Sequence, residues 1–485
     1  MKRGNTIVRY VSVAILCAAC AGQAGADTLA DTLAKAYQLS PSLQAAQAAL
    51  RALDEQVGQA KAGKRPQVNM EFGVTTGISE PQNSFRPVDP TDPFGDLEEF
   101  EPNTVARSRQ INARISTTLN LFDAGRTKAA VNAANASVSA GRASLKNAEQ
   151  NLLLNAVTAF MDVRRDIRFV SLAESNVSVL GQQVRAARDR FELGEVTRTD
   201  VSLAEARLAQ ARASLASFRG QLTVSQEQFR AVVGVPPENL QAPPPIPALP
   251  ASLEQAISIA MRESPDMIAI RFREIAAKYN VERADANRKL TLDAGASFGV
   301  TNSGNLNIYD DLDTKASGQL SLTLRRQLYS GGALKSAIRE AQAALSEQKF
   351  LVQDTARLVQ RNVASAWAGL DIAQASIIAN RQQVAAAQVT FDGVREEARL
   401  GARTTLDVLD REQELRDAQV QLASSIRDEY VRAYELLASM GLLTVEHLNL
   451  GVEQYDPNLY YNAVKNAPLR TPRGEKLDKL LERYR

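Results

Sequence analysis

The chain has 485 residues but a single histidine, His447, and two cysteines, Cys17 and Cys20. That leaves almost nothing from which to build a zinc, haem or Cys/His nucleophile site. Aromatic residues make up only 5%, with tryptophan once, at Trp367, so alanine must supply much of the packing. Neither sign of charge dominates. Lys and Arg number 57 against 55 Asp and Glu, a net of +2, whereas a nucleic-acid binder needs a strongly basic footprint. No Gly-rich phosphate loop follows a strand and no carboxylate cluster has metal spacing, so the sequence implies no enzyme and no cofactor. Beyond residue 26 there is no apolar run of the roughly 18 residues that a spanning helix needs. If this chain enters a membrane, it must do so with strands.

The first 26 residues carry Lys2, Arg3 and Arg9, an apolar stretch from Val11 to Ala21, and the small-residue site Ala24-Gly25-Ala26. This is the pattern of a secretory signal peptide over residues 1–26, with Asp27 as the expected mature start. Acylation of Cys20 is a weaker alternative, because Cys17-Ala18-Ala19-Cys20 lacks the usual leucine. After cleavage the chain would hold no thiol, and so no disulfide.

The sequence is internally duplicated. Ser40-Pro41 recurs as Ser264-Pro265, Leu121-Phe122 as Leu328-Tyr329, and Leu193-Gly194 with Asp200-Val201 as Leu400-Gly401 with Asp407-Val408. The repeats differ chiefly in one loop, 79–108 in the first copy and 302–315 in the second. The first loop, with Pro81, Pro87, Pro90, Pro93 and Pro102 and seven carboxylates, is expected to be solvated rather than packed. On either side of each loop, apolar residues alternate with polar ones. Val68, Met70, Phe72 and Val74 face Ile111, Ala113, Ile115 and Leu119 across the first loop. Leu292, Ala294, Ala296 and Phe298 face Leu320, Leu322 and Leu324 across the second. These four segments are expected to be membrane strands, each with one apolar and one polar face.

Everything else in the repeats reads as helix. No proline occurs from Asn103 to Val235 or from Asp266 to Asp456, which permits very long uninterrupted helices. Apolar residues step by three or four through Leu152, Ala156, Ala159, Val163 and Ile167, and again through Val359, Val363, Ala366, Leu370 and Ala373. The stretches Phe122–Gly194 and Tyr329–Gly401 are equal in length. The returning and leading helices are about half as long. Ser40-Pro41 and Ser264-Pro265 are expected to restart the leading helices after a break. The organisation is therefore a first repeat over 27–233, a Pro-rich linker over 234–251, a second repeat over 252–444, and a charged tail over 445–485 expected to lie outside or partly disordered.

Four strands cannot close a barrel without leaving open edges in lipid. Three copies would give 12 strands and a lumen, whereas two would give a barrel filled by its own side chains. The expected fold is mixed α and β: a trimeric channel-tunnel, with a 12-stranded membrane β-barrel built from four strands per protomer and continued by a long α-helical barrel.

The motif Leu400-Gly401-Ala402-Arg403-Thr404-Thr405-Leu406-Asp407-Val408-Leu409-Asp410 and its partner Leu193-Gly194-Glu195-Val196-Thr197-Arg198-Thr199-Asp200-Val201 resemble the TolC family of outer-membrane efflux and type I secretion channels. The resemblance covers nearly all of the chain beyond residue 26. It implies a homotrimer in the outer membrane, its helical part in the periplasm. It also implies docking to a periplasmic adaptor and to an inner-membrane pump, ABC-type or proton-driven. By the same resemblance Asp407 and Asp410 ring the pore constriction, and Arg403 ties the closed tips to Thr199 and Asp200 of a neighbouring hairpin. Leu193, Gly194, Leu400 and Gly401 would form the adaptor-facing surface. The family's tyrosine three before the motif glycine is Ala398 here, which weakens or replaces one latch. From the residues alone, Asp200 and Asp407 also fit as helix caps and Arg403 as a solvated turn residue.

The expected function is the exit duct of a tripartite efflux or type I secretion system. The alternative is a periplasmic coiled-coil structural or adaptor protein without a channel. The substrate and the pump are not legible in the sequence.

Overall fold

The computed structural model describes residues 27–79, 84–87, 91, 97–100, 106–305, 312–465 and 476. The expected signal segment, with Cys17 and Cys20, lies outside the described residues. In chain order the helices are α1 (Leu29–Leu39), α2 (Pro41–Ala62), α3 (Arg126–Glu192), α4 (Arg198–Val233), α5 (Leu253–Glu263), α6 (Pro265–Ala286), α7 (Ala333–Arg399), α8 (Thr405–Ser439) and α9 (Pro457–Val464). The strands are β1 (Gln67–Ser79), β2 (Ser84–Pro87), β3 (Leu97–Phe100), β4 (Ala106–Phe122), β5 (Thr291–Asn305) and β6 (Leu312–Arg325). No helix among the described residues is long and apolar enough to cross a membrane.

The duplication is visible in the element lengths. The leading helices are 11 and 22 residues in both copies, the long helices 67 in both, and the returning helices 36 and 35. The Ser-Pro breaks form for a local reason. Ser40 closes α1 by donating its N–H to Ala36 O at 3.1 Å, and its Oγ accepts from Leu43 N at 3.3 Å to open α2. Pro41 then occupies the first turn, where a missing N–H costs nothing.

The chain divides into two compact units, each drawing on both copies of the repeat. One contains 139–272 and 350–458 with the N-terminal segment up to Arg51. Its main core joins Leu29 and Leu33 of α1, Leu153 and Phe160 of α3, Phe229 of α4, Val363 of α7, and Leu436 and Leu437 of α8. Trp367 packs against this core from its edge. The first helical stripe leaves the core at Ile167, which is exposed. Burial on α3 passes instead through Asp166, Ala173 and Asn176. The polar members of that face are what hydropathy stepping missed. Asp166 is held by Arg165 Nε at 2.8 Å, and Asp162 accepts from Arg427 Nε of α8 at 2.8 Å.

The linker has no regular structure but is not free. Leu240, Ile246 and Leu249 pack against the core, and Tyr430 Oη donates to Pro244 O at 3.1 Å. Of the tail, expected to lie outside or partly disordered, the described part 445–465 is packed. Val445 is buried with its N–H donated to Glu149 Oε1 at 2.7 Å, and Leu448, Leu450 and Val452 pack on the core. In the other unit α9 buries Val464, while Tyr460 donates to Glu55 Oε1 at 2.7 Å and Tyr461 to Asn135 Oδ1 at 3.0 Å. Leu448, Leu450 and Val452 alternate, and Tyr460 and Tyr461 stand four and three residues before Val464, but runs this short do not disclose a partner distant in sequence.

The second unit, 52–138 and 273–349 with the end of the chain, holds an antiparallel sheet in the order β1-β4-β5-β6. The strands run further than the apolar alternation. β1 continues to Ser79, β4 begins at Ala106, and β5 and β6 extend to Asn305 and from Leu312, into segments expected to be loops. A backbone ladder needs only N–H and C=O partners, so polar residues extend it as readily as apolar ones. Within 79–108, read from sequence as a solvated loop, β2 and β3 form a second antiparallel ribbon, Ser84 opposite Phe100.

Candidate functional site

The register of the sheet sorts side chains onto two faces, because residues directly opposite in antiparallel strands point the same way. One row runs Val68–Thr117–Ala296–Leu320, the next Met70–Ile115–Phe298–Gly318, and the next Phe72–Ala113–Val300–Ala316. Between them lie Asn69–Ser116–Ser297–Gln319 and Glu71–Arg114–Gly299–Ser317. The first set is an apolar face and the second a polar one, on which Arg114 Nη2 donates to Ser297 Oγ at 3.1 Å. The apolar face is open: Met70 is 77% exposed, Phe72 69% and Leu320 86%. Each strand exceeds the roughly 9–11 residues that cross a hydrocarbon core when tilted. The outer edges of β1 and β6 have no partner strand among the described residues.

The second site is at the far ends of the long helices. Both helices end in the same left-handed turn. Gly194 has φ +76° and Gly401 φ +78°. The N–H of Glu195 reaches Arg190 O at 2.9 Å and that of Gly194 reaches Phe191 O at 3.0 Å, with Ala402 to Glu397 and Gly401 to Ala398 as counterparts. This pair of bonds satisfies the last carbonyls, and glycine is required because a Cβ disfavours positive φ. Leu193 and Leu400 stand out from these turns, 76% and 86% exposed.

The returning helices start at matching capping boxes. Thr404 Oγ1 accepts from Asp407 N at 3.2 Å, and Asp407 Oδ2 accepts from Thr404 N at 3.0 Å and from Thr404 Oγ1 at 2.8 Å. Thr197 and Asp200 do the same. Hydrogen bonds from Thr404 hold the Asp407 carboxyl below its ordinary value, and those from Thr197 do so for Asp200. Thr199 is exposed in the first turn of α4. Arg403 Nε donates to Glu397 Oε2 of its own hairpin at 2.8 Å, which raises the guanidinium pKa. In this single protomer, therefore, Arg403 is not brought to Thr199 or Asp200.

Three small clusters zip the tip helices. Val184, Ala187 and Ala204 join α3 to α4. Ala387, Phe391, Val408 and Leu415 join α7 to α8, with Ala398 packed beside them. Leu180, Ala211 and Leu409 join the two hairpins. Two polar contacts that the sequence did not disclose reinforce the last junction: Arg207 with Asp410 at 2.9 Å, and Gln183 with the buried Glu412 at 3.0 Å. Burial pushes the Glu412 carboxyl up and the neighbouring Arg416 guanidinium down. No group of three His, Cys, Asp or Glu able to hold a metal occurs among the described residues.

An open sheet with a lipid-compatible face, joined in each repeat to long paired helices, defines the class of outer-membrane channel proteins. The sequence profile of the outer membrane efflux protein family matches residues 32–235 and 256–441, and the chain belongs to that family. It is 34% identical over 458 residues to outer membrane efflux protein BepC of Brucella suis biovar 1 (strain 1330), covering 93% of this chain and 94% of that one. It is 25% identical over 317 residues to outer membrane protein TolC of Escherichia coli (strain K12), covering 62% and 63%. The crystal structure of the outer membrane protein VceC from Vibrio cholerae shares the fold, with TM-score 0.66, 21% identity, and coverage of 85% of this chain and 96% of that one. The protein is an outer-membrane exit duct of an efflux or secretion system.

Proposed function

We propose that three copies close a 12-stranded barrel, β6 of one beside β1 of the next, continued by a barrel of the long helices into the periplasm. The observation that carries this reading is the four-stranded sheet, apolar on one face and unpaired at both edges. In hydrocarbon those edge N–H and C=O groups must find partners, and copies of the same sheet supply them. The polar face then lines an aqueous pore. A helix of 67 residues is about 100 Å long, suited to a duct across a compartment.

The tips form the periplasmic entrance. Asp407 and Asp410 of three copies ring the constriction. Arg403, released from Glu397, reaches Thr199 and Asp200 of a neighbouring hairpin and holds the entrance shut. The exposed turns at Leu193-Gly194 and Leu400-Gly401 receive a periplasmic adaptor, which couples the duct to an ABC-type or proton-driven inner-membrane pump. The signal segment 1–26, the repeats 27–233 and 252–444, the linker 234–251 and the tail 445–485 are the corresponding parts of the chain.

The test uses the absence of cysteine beyond residue 26. Thr75→Cys on β1 and Ser321→Cys on β6 are combined in one chain and treated with a flexible bis-maleimide in outer-membrane vesicles. A covalent trimer as the largest species, with single-channel conductance in planar bilayers, is expected. A ladder ending at the dimer, or monomer alone, overturns the trimer.

A further inference from the structure

The four joints where sheet meets helices carry a charge that the rest of the chain lacks. Each connection, taken with three residues on either side, spans 60–69, 120–128, 284–293 and 323–335. Together they hold ten Lys and Arg against three carboxylates, Asp123, Asp285 and Asp293. Beyond residue 26 the whole chain is nearly neutral, so this excess is local. The opposite ends of the strands have the reverse sign: 80–101 and 305–313 carry ten carboxylates and one base, Arg86. In sequence, therefore, the segments joining strand to strand are acidic and the joints to the helices basic.

Three features argue that the basic end meets something anionic outside the chain. Like charges gathered at one level repel unless counter-charge arrives. Some are satisfied internally: Arg288 and Lys289 pair with Asp285 at 2.7 and 2.8 Å. Arg126, Lys128, Arg325 and Arg326 are exposed and form no ion pair among the described residues. Finally, Leu328 and Tyr329, two and three residues after Arg326, are 90% and 87% exposed. An apolar residue and an aromatic one beside cations, just beyond an apolar band, suit the boundary between hydrocarbon and headgroups.

We propose that this level of the sheet binds anionic phospholipid headgroups of the leaflet on the helix side, with Arg126, Lys128 and Arg326 as the contacting cations; Arg325 shares the polar face with Gln319, Ser321 and Thr323. The polar phosphates neutralise the belt, while Leu328 and Tyr329 enter the acyl boundary. The proposal rests on the outer-membrane location and not on trimer closure or conduction.

The experiment takes the full mature chain in mixed micelles of phosphatidylglycerol and phosphatidylcholine in equal amounts with matched acyl chains. Lipids retained are counted by native mass spectrometry. Wild type should favour phosphatidylglycerol by at least about threefold, and the preference should fall as NaCl rises from about 50 to about 500 mM. The R126Q/K128Q/R326Q variant should approach no preference. A variant with four glutamines at Lys349, Arg357, Arg361 and Arg381 of α7 should keep it. Wild type without preference, a preference insensitive to salt, or equal loss in both variants overturns the proposal. So does inorganic phosphate at about 10 mM displacing the lipid, since the ligand would then be the free ion. A belt variant that changes only ion selectivity in bilayers would assign these cations to the lumen and also overturn it. Should the belt variant not fold, the salt dependence of wild type decides.

Discussion

Arg207 of α4 donates to Asp410 of α8 at 2.9 Å, so one of the two carboxylates proposed for the constriction is tied to the other hairpin of its own protomer. Both side chains are partly exposed, and such a pair is worth at most about 1 kcal/mol. Its consequence is therefore charge more than stability. Packing of Leu180, Ala211 and Leu409 holds the hairpins together, while Arg207 would screen the proposed ring. Arg207→Ala should strengthen block by a multivalent cation at least about twofold, whereas Asp407→Ala with Asp410→Ala should weaken it. Single-channel recordings with the blocker on the periplasmic side check both signs, and block unchanged in both variants rules the ring out.

Arg403 is held by Glu397 within its own hairpin. If it also latches neighbouring tips, Glu397 competes for it. Arg403→Ala should then raise conductance, while Glu397→Gln, by freeing the guanidinium for Thr199 and Asp200 of the next copy, should lower it. Opposite signs from two residues that touch each other are hard to obtain from general loosening of the tip. Equal changes in both variants would return Arg403 to the role of a solvated turn residue.

The capping boxes predict an acid-sensitive tip. Asp200 and Asp407 titrate below the ordinary 3.8 because the folded turn donates hydrogen bonds to their charged forms. A depressed carboxyl pKa contributes stability that is present above about pH 4 and is lost as pH falls through the folded value. Amide exchange in the first turns of α4 and α8 should accelerate below about pH 4 while the helical core stays protected. Thr404→Ala should produce the same fraying at neutral pH, at a cost of about 1 kcal/mol.

Glu412 has the opposite sign. Burial raises its pKa, so the fold disfavours the charged form relative to the unfolded chain. The stability it contributes is complete below its ordinary 4.5 and declines as pH rises through the folded value. Facing it are Gln183 from α3 and Arg416 on its own helix. Glu412→Gln should raise the thermal midpoint at pH 7 and leave it nearly unchanged at pH 4. A variant less stable at pH 7 would mean that attraction to Arg416 outweighs desolvation.

Much of the architecture was legible because it rests on local rules. The Ser-Pro pairs can only interrupt and restart a helix, Gly194 and Gly401 can only end one in a left-handed turn, and alternation at Val68 to Val74 can only make a two-faced strand. Ala398, singled out as a missing latch, lies packed beside Phe391 and Val408. The tail, by contrast, offered charge and only very short periodic runs, and Val445 and Val464 were found to be buried only once partners distant in sequence stood beside them.

The sequence by itself determined the repeat, the element types and the faces of the strands, since these depend on residues within a few turns of one another. Only the tertiary structure decided that Asp410 spends its charge on Arg207, that Arg403 rests on Glu397, and that Glu412 is buried beside Gln183. Each of those outcomes is a choice among nearby partners of similar chemistry, and distance, set by helix packing, makes that choice.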